Sequence, residues 1–429
     1  MKFVNRIWEF KELDKYVKSG NLVVLYGRRR VGKSKLINRW MMQKKNGFYS
    51  QAIEGSPLLQ ISQICEDLAS LLKTQIKIQN WIQFFELIEK SINESCIICF
   101  DEFPYLVEAD PTLPSIFQKW LDHRKNKKIS FIICGSSQKM MSSIFLKQNS
   151  ALYGRAERIL KIEQMGYLDF CEATNLNYTK KESFLMYSMI GGIPKYWGYI
   201  QSIKNPIELA NILYFERGAI LENEPHRILS DEKIEGVTPV SILESIGRGS
   251  HKPSEIASRI GLQLNSLSKV FAILVESSLV IREIPFGKTI NDSKKSLYKI
   301  NDPMLLFWYG IYSRLRSQWH GIVEKEKLQI IYNFASIVFE NEFRKINNGQ
   351  RYWDDKIELD CVRRNTDKNL IIDEFKFSNL NLKERQVILK NLEFKISNHD
   401  FSEKYIIEKI EVSDWADYCK NLKKLDKNE

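Results

Sequence analysis

The sequence predicts an α/β fold: a parallel sheet flanked by helices at the N-terminus, then smaller helical and α/β units. Three observations carry this reading. Apolar runs at 21–26, 96–100 and 129–134 are short and continuous, as in strands buried on both faces. The first run leads directly into a glycine-bounded loop and then a helical stretch from Lys35. Finally, 429 residues with 44% apolar and 27% charged side chains exceed one hydrophobic core and suit two to three globular domains.

The loop after the first strand is Gly27-Arg28-Arg29-Arg30-Val31-Gly32-Lys33-Ser34, which fits G-x-x-x-x-G-K-[ST] in strand-loop-helix context. Glycines let backbone N–H groups curl around phosphate oxygens, and the following helix adds its N-terminal partial charge. Residues Gly27 to Lys35 are therefore the expected contacts for ATP. Lys33 would reach the β- and γ-phosphates and Ser34 would ligate Mg²⁺. Such a loop needs acids at a second strand end. The run Cys96-Ile-Ile-Cys-Phe100 supplies the strand, with Asp101 for Mg²⁺ and Glu102 to polarise the attacking water. The third strand ends in Gly135-Ser136-Ser137. Ser136 there reads either as a sensor of the γ-phosphate or as a simple helix cap.

The ordered motifs Phe3-Val-Asn-Arg6-x-x-Glu9, LYGRRRVGKSKLI, IICFDEFPYL, IICGSSQKMM, LYGR and GGIPKYW extend the pattern over roughly residues 1–225. Together they resemble the archaeal-type ATPases of the AAA+/STAND branch of P-loop proteins. The resemblance implies a three-layer ATPase core over 1–165 and a helical lid over 166–229. It also implies that Arg6 lies near the adenine, that Arg155 approaches the phosphates, and that Pro194 belongs to a lid motif packing on the base. The plainer alternatives are that Arg6 pairs with Glu9 and that Pro194 breaks a helix. Arg158 is a second arginine that could act in cis or in trans.

Residues 230–305 read as three helices, at 239–246, 253–260 and 264–277, followed by strands at 279–284 and 297–300. This pattern resembles a winged helix. In a DNA-binding version Asn265, Ser266, Ser268 and Lys269 would face the major groove, and Lys288, Lys294 and Lys295 would meet phosphate. The other reading is that this unit packs on the nucleotide module.

Residues 306–429 carry a second set of acids. A helix at 333–344 holds Glu340, a strand at 357–362 holds Asp360, and a strand at 370–377 holds Glu374 and Lys376. The order resembles the PD-(D/E)xK phosphodiesterase fold, a small restriction-endonuclease-like α/β domain. Glu374 and Lys376, two apart on a strand, share a face. Asp360 and Glu374 would hold Mg²⁺, Lys376 would position water or stabilise charge at phosphorus, and Glu340 would complete the cluster.

Composition narrows the classes. Net charge is +11. The surplus of Lys and Arg over Asp and Glu is nine in 1–229, two in 230–300 and none in 301–429. Basicity therefore sits with the nucleotide module and favours polyanionic partners. No apolar run approaches the roughly 18 residues of a membrane span, and the N-terminus lacks a signal-peptide core, so a cytoplasmic protein is expected. Seven scattered cysteines suit reduced thiols, and Cys96 and Cys99 are expected to be buried on opposite faces of their strand. The function expected is an ATPase that couples nucleotide state to DNA binding or processing. The alternative is a STAND-type switch or scaffold that recruits protein partners through an inactive C-terminal domain.

Overall fold

The computed structural model describes residues 2–426 except Ser19, Gln201, Ser202, Lys204 and 290–294. Five strands form the first sheet: β1 (Leu22–Tyr26), β2 (Gly47–Gln51), β3 (Cys96–Asp101), β4 (Ile129–Gly135) and β5 (Arg158–Lys161). Their order is β2-β3-β4-β1-β5 and every pairing is parallel. The continuous apolar runs have their physical reason here. Val23 and Leu25 enter one apolar cluster while Leu22 and Val24 enter another on the opposite face. Cys99 and Cys96 divide between the same two clusters, both buried.

Parallel strands share one C-terminal edge, so β1, β3 and β4 deliver their loops side by side. Helix α1 (Lys33–Met41) leaves that edge after β1. Helix α2 (Leu113–His123) runs back to the opposite edge before β4, and α3 (Gln138–Phe145) begins just after β4.

Beyond the sheet, helix α4 (Lys181–Ile190) is buried from Ser183 to Ile190 without a polar face. A helix buried all round needs neighbours on every side. Among those neighbours are α9 (Pro303–Phe307) and α10 (Glu324–Ile346) from the far C-terminal part. The cluster beginning at Val4 and Leu13 accordingly runs without a break to Tyr418 and Leu422. Expected boundaries at 229/230 and 305/306 both fall inside helices, α5 (Glu224–Asp231) and α9. At the second, Gly247 lies so close to Tyr309 that a Cβ would stand 2.5 Å from the tyrosine Cβ. The chain therefore continues through this boundary in a packed helix.

Helices α6 (Val237–Gly247), α7 (Pro253–Ile260) and α8 (Leu264–Glu276) precede an antiparallel pair, β6 (Val280–Glu283) and β7 (Leu297–Ile300). Pro253 opens α7 and Gly261, at φ 70°, ends it. The last unit is a sheet of order β11-β10-β9-β8. Its strands are β8 (Gln350–Trp353), β9 (Glu358–Arg364), β10 (Leu370–Lys376) and β11 (Ile407–Asp414), with α11 (Leu382–Ser397) and α12 (Trp415–Asp426). Strands β9 and β10 are antiparallel, while β10 and β11 are parallel. No helix among the described residues is long and apolar enough to cross a membrane.

Candidate functional site

The loop after β1 has the backbone its sequence demands. Gly27 approaches β5 so closely that a Cβ would sit 2.4 Å from the Ile162 carbonyl oxygen. Gly32 has φ 100°, which L side chains rarely adopt. Lys33 is 4% exposed, and its Nζ donates to the carbonyls of Gly27 (2.8 Å) and Arg28 (3.1 Å). The ammonium is thus held over the loop by the loop's own oxygens.

Asp101 ends β3, fully buried. Its Oδ1 accepts from the Glu102 N–H at 2.9 Å and its Oδ2 from the Tyr49 hydroxyl at 2.5 Å. Ser34 lies close enough to the same phenol to lower its pKa slightly, so the loop's hydroxyl and the acid of β3 both border Tyr49. Burial and then the Asp101 charge push the Tyr49 phenol far above its ordinary range. The buried Cys134 thiol feels both Asp101, which raises it, and Lys33, which lowers it. Glu102 caps the next helix at φ 53°, and its Oε2 accepts from the Ser136 N–H (3.1 Å) and hydroxyl (2.7 Å). Lys33, Ser34, Asp101, Glu102 and Ser136 therefore meet at one sheet edge.

A hydroxyl and a carboxylate brought together are the donor set that Mg²⁺ accepts beside phosphate oxygens. The residues fit the ion, and Tyr49 holds one oxygen of the Asp101 carboxylate here.

Arg6 pairs with Glu9, as one of its two readings expected. Its guanidinium donates to Glu9 (2.6 Å) and to the carbonyls of Val31 (3.1 Å) and Glu163 (2.9 Å). It also lines an apolar cleft with Val31, Gly32, Lys35, Pro194 and Trp197. Free space there is about 40 Å³, well short of a typical ligand pocket, so a base enters only if the cleft opens.

Arg155 is not where the resemblance implied, and the loop arginines have their side chains engaged elsewhere. Arg28, Arg29 and Arg30 turn their side chains away from the phosphate position, onto Asp302, Asp231 and Glu224 respectively. The buried guanidinium of Arg28 requires a counter-charge, which Asp302 supplies, whereas the Arg29 pair is largely exposed. The loop's backbone N–H groups and the Lys33 ammonium are left for phosphate. Burial would lower the Arg28 pKa, but Asp302, Tyr196 and Glu224 together hold the group above its usual value. Arg155 precedes β5 and so lies at the opposite sheet edge. It forms a two-pronged pair with Asp122 at the end of α2 (3.0 and 2.9 Å). Arg158 is likewise taken, by Glu12 at 2.6 Å.

Sequence reasoning missed Tyr49, Glu232 and the three acids on the loop arginines. Glu232 caps α3, accepting from the Ser137 hydroxyl and Gln138 N–H at 3.3 Å. The run Arg28–Arg30 was the available signal, since three adjacent guanidiniums call for acids elsewhere in the chain.

The C-terminal acids also converge. The register pairs Asp373 with Cys361, which sets Glu374 opposite Asp360 on the other face. Asp360 Oδ2 accepts from the Phe375 N–H at 3.0 Å, and Lys376 reaches Glu374 at 2.8 Å. Burial and then the Asp360 charge push the Glu340 carboxyl up to about 7 and raise Glu374 as well. Burial alone would lower Lys376, but Glu374, Asp360 and Glu340 hold it above its usual value. No group of three or more His, Cys, Asp or Glu among the described residues could hold a metal. Two facing carboxylates suit Mg²⁺, which keeps several waters, and not a metal that needs an all-protein cage.

Between the two clusters, α8 exposes Asn265, Ser266, Ser268 and Lys269. Its far end docks on α3: Gln138 donates to the Ser277 carbonyl (2.8 Å) and accepts from the Ser278 hydroxyl (2.9 Å). The unit therefore packs on the nucleotide module at one end of this helix and leaves the other end exposed. Lys288 is exposed, Lys295 pairs with Asp355 at 2.6 Å, and Lys294 lies outside the described residues.

Residues 3–200 match the family described as an ATPase domain predominantly from Archaea. An uncharacterized protein of Methanocaldococcus jannaschii is 29% identical over 434 residues, 94% of each chain. A Walker-type ATPase of Pyrococcus abyssi superimposes with TM-score 0.53 at 18% identity, covering 72% of this chain and 96% of its own. The ORC2 protein of Aeropyrum pernix, solved as ADPNP and ADP complexes, gives TM-score 0.43 at 12% identity, covering 79% and 96%. Residues 3–200 are thus similar to an archaeal-type ATPase domain, and the fold is shared with a Walker-type ATPase; the two similarities support nucleotide binding and hydrolysis.

Proposed function

We propose that this chain is a Mg²⁺-dependent ATPase that couples nucleotide state to DNA binding and processing by its C-terminal half. The observation that carries the ATPase part is the parallel order β3-β4-β1, which brings the loop with Lys33 and Ser34, the acids Asp101 and Glu102, and Ser136 to one sheet edge, with Ser136 bonded to Glu102. Lys33 exchanges the Gly27 and Arg28 carbonyls for the β- and γ-phosphates. Ser34 and Asp101 would hold Mg²⁺, which supplies charge neutralisation on the phosphates. Glu102 orients the attacking water, and Ser136 fixes the Glu102 carboxylate. Arg6 and Pro194 border the base cleft.

Residues 230–305 act as a winged helix, with the exposed face of α8 toward DNA. Residues 306–429 act as a PD-(D/E)xK-like phosphodiesterase. There Asp360 and Glu374 would hold Mg²⁺, with Lys376 at the scissile phosphate and Glu340 completing the charge cluster. The convergence of these four side chains supports the reading. The three ion pairs on the loop arginines favour a second reading, a nucleotide-controlled switch whose C-terminal half only recruits partners.

Two substitutions separate the parts. Glu102→Gln should lower ATP turnover by about 10²- to 10⁴-fold while retaining ATP binding, the usual cost of losing a positioned base. Wild-type turnover in this variant would remove Glu102 from the mechanism. Asp360→Ala should abolish Mg²⁺-dependent DNA cleavage and leave ATP turnover intact. Absence of cleavage by the wild type would favour the switch.

A further inference from the structure

We infer that the second face of the C-terminal sheet, behind Asp360 and Glu374, holds a binding site for a nucleoside monophosphate unit. Strand β10 alternates, so Glu374 and Lys376 face one way while Asp373 and Phe375 face the other. On that other face a cleft of about 720 Å³ opens between the sheet and α12, within the size range of small-molecule sites.

Its floor holds two polar atoms that the protein leaves unanswered. Asp373 is 3% exposed; its Oδ2 accepts from the Ser413 hydroxyl at 2.7 Å, but its buried Oδ1 has no partner. Arg363 donates through Nη2 to Glu411 at 3.2 Å, while its buried Nε has none. The strand register makes Arg363 and Asp373 diagonal neighbours on this face. Buried polar groups are almost always satisfied, and an unmet one costs about 1–3 kcal/mol. An acceptor and a donor side by side answer a ligand edge presenting N–H beside C=O. Guanine offers such an edge, and its O6 is a preferred partner of arginine. The rim carries exposed Lys423 and Lys424, placed to meet a phosphate.

The shared chemistry is a base edge plus a phosphate, from either a free nucleotide or the terminal nucleotide of a strand. The site is independent of the ATPase and nuclease assignments. Calorimetric titration should use the full chain carrying Lys33→Ala, which disables the phosphate loop. The probes are GMP, inorganic phosphate, and a guanosine-ended oligonucleotide with or without a 5′-phosphate.

GMP should bind saturably and more tightly than phosphate. Asp373→Asn, which keeps an oxygen for Ser413 and presents a donor to the ligand, should weaken GMP by about 10-fold. The exposed double substitution Lys423→Ala/Lys424→Ala should do the same while sparing the core. A 5′-phosphorylated strand that competes with GMP identifies a strand end as the source. Competition by free nucleotide alone identifies the free ligand. The inference is overturned by no saturable binding, by equal affinity for GMP and phosphate, or by binding indifferent to both substitutions.

Discussion

Tyr49 is the residue on which the nucleotide site closes in this state. Its hydroxyl donates to Asp101 and lies near Ser34, so it borders both groups expected to hold the ion. Tyr49→Phe removes that hydrogen bond and leaves the buried Asp101 oxygen without a donor. The nucleotide-free protein should lose about 1–3 kcal/mol of stability, read as a lower thermal midpoint. Saturating Mg-ATP should restore most of the difference, because ligands then satisfy Asp101. An equal loss with and without Mg-ATP would mean that Tyr49 stays on Asp101 throughout. Nothing in Gly47-Phe-Tyr-Ser-Gln51 marks this tyrosine, since its partners lie on other elements and are set by the β2–β3 pairing. Lys33, Ser34, Asp101 and Glu102 were legible because their chemistry fixes their spacing to strand ends. Arg155 was not, because a motif gives order along the chain and not which edge of the sheet a residue occupies.

At the scale of elements, strands and helix limits were largely written in local pattern. The apolar run 129–134 corresponds to β4, and 253–260 and 264–277 correspond to α7 and α8 within a residue. Helix α10 was caught only in its second half; its first turn, Glu324 to Lys327, is wholly charged, although Leu328, Ile330 and Ile331 follow it. Packing between elements was not legible. Gly247 is an ordinary helical glycine by sequence, yet it marks where α6 meets Tyr309 and Gly310. Gly247→Ala should force a backbone shift costing about 1–3 kcal/mol, although alanine is the better helix former. Chemical denaturation measures it, and an unchanged or raised midpoint would show that the two helices can separate freely.

Across the whole molecule, the phosphate loop is tied to distant parts of the chain through its own side chains. Arg28 meets Asp302, which also caps α9 and accepts from Gln164 at 2.9 Å. Arg30 meets Glu224, which accepts from the Tyr196 hydroxyl at 2.7 Å. A shift of the loop on binding nucleotide therefore bears directly on α5 and α9, and α9 packs on α4. Asp302→Asn would leave the Arg28 guanidinium buried without its counter-charge, a loss of about 3–5 kcal/mol. Limited proteolysis should then cut between α8 and α10 faster than in the wild type. A digestion pattern identical to the wild type would deny the tie its structural weight.

The account stands on one sheet edge being the place of phosphate transfer. ATP turnover in the presence of Mg²⁺, compared between the wild-type chain and Lys33→Ala, tests it most directly. Turnover in the wild type that falls to background in the variant is the expected result. Turnover that Lys33→Ala leaves unchanged would contradict it.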